Sequence, residues 1–174
     1  MYGVLESTPL HQILHWRGSE WVGGYSTERN SQVHLPRLSK GFCTWVVAAS
    51  TSPRLRNCCI SNSDCKQLAS VVSTNQNLKE LDLRGNNQGD VGVKLLCEGL
   101  KHPDCKLQKL VLSYCMLTAA CCQGLSCVLS TNQTLRELDL EINKLGYLGV
   151  QQLCEGLKHA TCKLEILRQF CTVH

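Results

Sequence analysis

No run of about eighteen apolar residues occurs in the chain, so no helical membrane span is expected. The N-terminus lacks a basic start followed by an apolar core, and Glu6 interrupts it, so a secretory signal is not supported. The phosphate-loop signature G-x-x-x-x-G-K-[ST] is missing, and with it the expectation of ATP binding. His11 and His15 stand one helical turn apart, but Gln12 occupies the place where a metalloprotease motif needs Glu. Zinc sites want clustered Cys-x-x-Cys pairs, and none occurs. The net charge is +4, yet Lys/Arg and Asp/Glu nearly balance within the repeats described next, which is no nucleic-acid footprint. The expectation is a protein without catalytic residues, cofactor or metal, and without nucleic-acid or membrane partners.

What the chain does contain is a near-copy of itself. Leu78-Lys79-Glu80-Leu81-Asp82-Leu83 returns 57 positions later as Leu135-Arg136-Glu137-Leu138-Asp139-Leu140. Leu96-Cys97-Glu98-Gly99-Leu100-Lys101-His102 returns at the same offset as Leu153-Cys154-Glu155-Gly156-Leu157-Lys158-His159. Each 57-residue unit divides into two leucine frames of the form L-x-x-L-x-L-x-x-N/C. Leu78, Leu81, Leu83 and Asn86 fill the first, Leu107, Leu110, Leu112 and Cys115 the second, and Leu135, Leu138, Leu140 and Asn143 the third. Steps of 28 and 29 residues are those of a long leucine-rich repeat.

In this frame alternate leucines leave one side of a short strand and bury between layers. The residues between them are expected on the concave, solvent side. These are Glu80, Asp82 and Arg84, then Lys109, Val111 and Ser113, then Glu137, Asp139 and Glu141. Taken singly each is an ordinary solvated strand residue. As a set they form the expected protein-binding face, with five acidic side chains on the two Asn-type strands to attract a basic partner. The Asn or Cys at the ninth position turns the chain out of the strand and satisfies backbone groups left unpaired there.

A helix should follow each strand. Asp90 is the expected N-cap of Val91 to Leu100, with Val91, Leu95, Leu96 and Leu100 on one face. Thr118 should cap residues 119–129, with Cys122, Leu125, Val128 and Leu129 inward. The third helix should run from about Leu148 to Leu157, with Val150, Leu153, Cys154 and Leu157 inward. Strand-plus-helix units cannot bury their apolar faces alone, so they stack into a curved solenoid. Shifting the frame upstream gives Ser50, Pro53 and Leu55 where leucines belong, so the repeats become legible at about Leu55.

Eight of the 13 cysteines pair under the 57-residue shift: Cys58 with Cys115, Cys65 with Cys122, Cys97 with Cys154, and Cys105 with Cys162. A cysteine recurring at a fixed repeat position reads as a small buried apolar residue. The odd total without a signal peptide favours reduced thiols and a cytoplasmic location. Residues 1–54 show no trace of the period, although they hold Trp16, Trp21 and Trp45, and read as an irregular, poorly ordered leader. Asn132-Gln133-Thr134 spells a glycosylation sequon, which matters only to a secreted protein.

Alternating 28- and 29-residue repeats with Asn and Cys at the turn resemble the ribonuclease-inhibitor subtype of leucine-rich repeats. Leu95-Leu96-Cys97-Glu98-Gly99-Leu100-Lys101-His102-Pro103-Asp104-Cys105-Lys106-Leu107-Gln108-Lys109-Leu110 resembles more narrowly the C-terminal repeats of NOD-like receptors with NACHT and pyrin domains, as does Leu129-Ser130-Thr131-Asn132-Gln133. The resemblance implies an α/β leucine-rich-repeat solenoid, a horseshoe segment of about three and a half repeats over residues 55–174 after the irregular leader. It implies a non-enzymatic protein-binding module like the sensor array of such a receptor, in innate immune and inflammasome regulation, without the ATP-binding domain. Its partners would be proteins, a full-length receptor of the same family among them. Gln169 stands where a leucine is expected and Thr172 where Cys would sit, and neither end offers a polar cap. A truncated or spliced product is therefore one alternative expectation, and a ribonuclease-inhibitor-like binder is another.

Overall fold

The computed structural model describes residues 50–169, Val47, and the backbone of two short strands further upstream. Those strands, β1 (Leu14–Arg17) and β2 (Glu20–Gly23), pair antiparallel with Trp16 opposite Trp21. They lie within the segment expected to be irregular. The other leader positions, including His11 and Trp45, and the tail from Phe170 with Thr172, lie outside the described residues.

From Asn62 onward strand and helix alternate. Helix α1 (Asn62–Thr74) precedes β3 (Glu80–Asp82), α2 (Gly89–Leu100), β4 (Lys109–Val111), α3 (Cys122–Thr131), β5 (Glu137–Asp139), α4 (Gly146–Leu157) and β6 (Ile166–Arg168). The four later strands form one parallel sheet in sequence order. Leu81, Leu110, Leu138 and Leu167 share one register line across it. Parallel strands need a crossover, and each helix supplies one on the same side. The repeat frame also extends further upstream than Leu55. Lys79 and Glu80 donate to Thr51 C=O, Asp82 donates to Pro53 C=O, and Arg54 bridges to Asp82 in parallel. This edge segment needs no donor at Pro53, which is why a proline is tolerated there, and of the three frame leucines it keeps Leu55.

The leucines at the frame positions of β3, β4 and β5 are all buried, with Leu81, Leu83, Leu110, Leu112 and Leu138 fully enclosed. Each contributes about 1.5–3 kcal/mol by leaving water. The turn asparagines join successive repeats. Asn86 Oδ1 accepts from the amides of Cys58 (2.9 Å) and Ile60 (3.0 Å), while its Nδ2 donates to Leu55 C=O (2.6 Å) and Leu83 C=O (2.7 Å). Asn143 repeats this one unit later with Cys115, Leu117, Leu112 and Leu140. Cys115, in the alternate repeats' turn, donates its thiol to Leu83 C=O and Ser113 C=O. The residue before each Asn or Cys is left-handed: Asn57 (φ 51°), Gly85 (φ 70°), Tyr114 (φ 57°) and Ile142 (φ 54°).

The helices pack in pairs. Helix α1 lies close against α2, and α3 against α4, while the α2–α3 seam is looser. Glycines explain the difference. A Cβ on Gly99 would meet the Ala69 carbonyl oxygen at 2.2 Å, and one on Gly156 would meet that of Ser126 at 2.5 Å. On the looser seam a Cβ on Gly124 would only touch Cys97 Sγ at 3.5 Å.

Helix starts and stripes depart from expectation in α2 and α4. Asp90 lies inside the first turn of α2 and does not cap it. Its carboxylate reaches the next repeat, accepting from Thr118 N–H (2.9 Å) and Oγ1 (2.7 Å). The inward stripe of α2 is Gly92, Val93, Leu96, Cys97, Gly99 and Leu100, with Val91 exposed, because the helix begins earlier and is rotated to present its glycines to α1. Thr118 does cap the next segment, accepting from Ala120 N–H, but through a 3-10 turn (Ala119–Cys121) ahead of α3. In α3 the expected Cys122, Leu125, Val128 and Leu129 are buried. In α4 only Leu153 of the four is fully buried, since the described residues place no helix on its far side.

Two neighbouring substitutions should act in opposite directions. Asn143→Ala orphans the buried amides of Cys115 and Leu117 and should cost about 2–4 kcal/mol. Ile142→Gly removes a β-branched side chain from a left-handed turn and should add about 0.5–1 kcal/mol. Urea unfolding of the full chain checks both signs.

Candidate functional site on the open face of the sheet

Strands about 4.8 Å apart bring side chains of successive repeats within bonding distance of each other. The nine expected residues do share one face, in the rows Glu80-Lys109-Glu137 and Asp82-Val111-Asp139, with Arg84, Ser113 and Glu141 just beyond. Eight of them, all but the buried Ser113, line a shallow open depression of ≈ 220 Å³, together with Ser52, Pro53, Arg54, Arg56, Leu81 and Arg168.

The expected solvent exposure and acidity of this face need correction. Asp82, Val111, Ser113 and Asp139 are buried, Arg84, Lys109, Glu137 and Glu141 are half-buried, and Glu80 is exposed. Three of the five acids are held by bases of this same chain. Asp82 meets Arg56 Nε at 2.5 Å, and its other oxygen accepts the Arg84 amide at 3.1 Å. Asp139 meets Arg84 Nη2 at 3.3 Å and accepts the Glu141 amide at 2.9 Å. Arg84 Nε donates to Ser113 Oγ at 2.9 Å, which ties three repeats together. Glu137 sits between Lys109 (2.9 Å) and Arg168 (3.1 Å). With arginines nearly half exposed, such pairs contribute about 0–1 kcal/mol each. Their larger effect is on the surface field, which becomes an alternation of signs and not an acidic patch.

Arg56, Arg54 and Arg168 escaped sequence reasoning although the repeat carries their signal. Arg56 stands 28 positions before Arg84, and Arg168 stands 29 after Asp139. Both lie in repeats whose leucine pattern is degraded.

The cysteines occupy two environments. Cys65, Cys97, Cys105, Cys115 and Cys122 are buried in the core, as fixed repeat positions imply, while their equivalents Cys58, Cys154 and Cys162 are half-buried. Burial pushes the Cys97 thiol up to about 12. Cys121 is also pushed up, by the neighbouring Cys122 thiol and by burial. Cys59 and Cys127 are exposed. No group of three or more His, Cys, Asp or Glu able to hold a metal ion occurs among the described residues, and no described helix is long and apolar enough to cross a membrane. The sequon residue Asn132 is buried, with Nδ2 on Leu100 C=O and Oδ1 on the amides of Thr134 and Leu135.

Two outcomes follow from these environments. The hydrogen bond from Lys109 holds the Glu137 carboxyl below its ordinary value of 4.5, with Arg168 adding to it. Between that lowered value and 4.5 the unfolded chain binds more protons than the folded one, so stability falls as pH drops through the window. Glu137→Gln should remove that part of the acid sensitivity, seen as a smaller loss of urea midpoint between pH 5.5 and pH 3.5. Alkylation of the native full chain at neutral pH should label Cys59 and Cys127 first among the described cysteines. Cys97, Cys115 and Cys121 should react only on unfolding, as peptide mass mapping would show.

Comparison with known proteins agrees with the repeat reading. The family described as Leucine Rich repeat matches residues 74–97 and 131–154. Human NACHT, LRR and PYD domains-containing protein 12 is 56% identical over 115 residues, 66% of this chain and 11% of that protein. Human NACHT, LRR and PYD domains-containing protein 3 is 58% identical over 103 residues, covering 59% of this chain and 10% of that protein. The chain thus spans about a tenth of the length of these relatives. Among solved structures, the actin-binding site 2 of leiomodin-1 superposes with a TM-score of 0.61 at 21% identity, over 71% of this chain and 72% of that one, which shows the fold alone. With the α/β repeat, its Asn/Cys turn and its parallel sheet, these matches make the repeat part of this chain a partial leucine-rich-repeat region of the NACHT, LRR and PYD domains-containing family.

Proposed function

We propose that this chain is a non-enzymatic protein-binding module, a solenoid segment of horseshoe type spanning residues 55–174 after a leader of 1–54. The observation that carries the reading is the unbroken four-stranded parallel sheet whose open face presents charged side chains in register. Curvature of stacked repeats offers such a face to a partner along its whole length. Glu80, Asp82, Arg84, Lys109, Val111, Ser113, Glu137, Asp139 and Glu141 form the dock. Asp82, Asp139 and Glu137 are committed to pairs within the chain, so Glu80 and Glu141 carry the acidic contacts to a partner. Because the field alternates, the partner is a protein surface bearing both signs, for which complementarity gives specificity more than raw affinity.

The relatives combine such repeats with NACHT and PYD domains by name. A repeat segment of this kind would act in the cytoplasm by competition, occupying contacts of a full-length receptor of the same family in innate immune signalling. Co-expression of the full chain with such a receptor tests this. Signalling should fall, and a Glu80→Lys/Glu141→Lys double variant with an unchanged urea midpoint should restore most of it. Signalling that is unaffected by the unmutated chain would overturn the reading.

A further inference from the structure

The two ends of the array differ. At the N-terminal end Val47, Pro53, Leu55 and Ile60 are buried, and Val47 C=O accepts from Asn75 Nδ2. At the C-terminal end Leu157, Leu164 and Leu167 are half-buried, although their equivalents one unit earlier, Leu100, Leu107 and Leu110, are fully enclosed by the following repeat. Among the described residues β6 has a neighbour on one side only.

The backbone of β6 fixes what can pair there. Ile166 N–H donates to Arg136 C=O (2.9 Å) and Arg168 C=O accepts from Leu140 N–H (2.8 Å), so residues 166 and 168 turn their peptide groups to β5. Alternation along a strand then turns the N–H and C=O of Leu167 to the open side. Leu110 occupies the same register line in β4, where β5 lies on that side. An edge that presents unpaired donors and acceptors beside exposed Ile166 is a template for another strand.

We propose that β6 pairs antiparallel with β6 of a second copy of this chain, about a two-fold axis through Leu167, giving a closed dimer with one sheet running through both copies. Three features select this occupant. Two Leu167 residues facing each other across the axis exchange both of their outward hydrogen bonds, as a closely spaced antiparallel pair requires. Each Ile166 then stands opposite Arg168 of the second copy, so no like charges oppose each other across the seam. Helix α4 meets its own copy and covers Leu157 and Leu164, continuing the helix layer that encloses their equivalents inside the array. A head-to-tail arrangement finds no matching surface, because the N-terminal end already buries its apolar side chains.

Sedimentation equilibrium of the full chain over a concentration series tests the proposal, with circular dichroism confirming that each variant keeps the parent spectrum. A reversible monomer–dimer equilibrium is expected. Ile166→Lys places Lys opposite Arg168 of the second copy, twice per dimer, and should raise the dissociation constant about 2- to 30-fold. Ile166→Glu should lower it by a similar factor. Both substitutions fall on an exposed side chain, away from the buried leucines. A chain that stays monomeric, growth beyond the dimer, or a shift in the same direction from both charges would overturn the proposal.

Discussion

The carboxamides of Asn86 and Asn143 each hold two repeats at once, and the rest of the array depends on them. A strand that ends inside a stack leaves peptide groups pointing into a layer with no water. The Asn side chain has one acceptor and one donor group, and both are fully used here: two amides of the preceding repeat's turn on Oδ1, and a carbonyl from each repeat on Nδ2. The link fixes how far one strand lies from the next, and therefore which open-face side chains meet. The pairing of Arg56 with Asp82, and of Arg84 with Asp139, follows from that spacing.

The 57-residue unit has a physical basis as well as a sequence one. Asn-type turns clamp through a side-chain amide, whereas the Cys-type turn at Cys115 contributes a thiol donor to carbonyls on either side. Helices follow the same two-step rhythm. Gly99 and Gly156 let α2 and α4 press against the helix before them, and the intervening seam is looser. A second asparagine series at the helix ends does similar work. Asn75 and Asn132 accept from the amides leading into β3 and β5, and Asn132 also donates to the Leu100 carbonyl of the preceding helix. Stacking is thus specified at the turn, at the helix end and in the leucine layer, each at a recurring position.

Most of this was legible in the sequence because the relevant residues recur. The leucine frame and the three turn positions follow from periodicity alone, and five of the eight repeat cysteines are buried as that reading expects. What escaped is instructive. Val91 was placed inward by its 3.6-residue spacing, but Gly92 and Gly99 are the residues that face α1, and small residues carry little weight in an apolar pattern. Asp90 reads as a helix cap from its position, yet its carboxylate serves Thr118 of the next repeat, a long-range bond that local propensity does not encode. On the open face the acidic residues could be located but not their counter-charges. Arg56 and Arg168 sit in the two repeats where the leucine frame fades, so frame matching discarded the residues that neutralise Asp82 and Glu137.

That neutralisation shapes what the face can recognise. A surface whose charges are mostly satisfied internally offers shape and a few free acids, suited to a partner of matched pattern and poor at capturing any basic surface. Hydrogen exchange on the full chain tests the underlying account most directly, because the turn amides of Cys58, Ile60, Cys115 and Leu117 each donate to an asparagine side chain. If asparagine clamps hold the stack, these four amides exchange as slowly as those within β4 and β5. Exchange at the rate of exposed turns, while the strand amides stay protected, would mean that the leucine layer alone holds the repeats and that the clamp account is wrong.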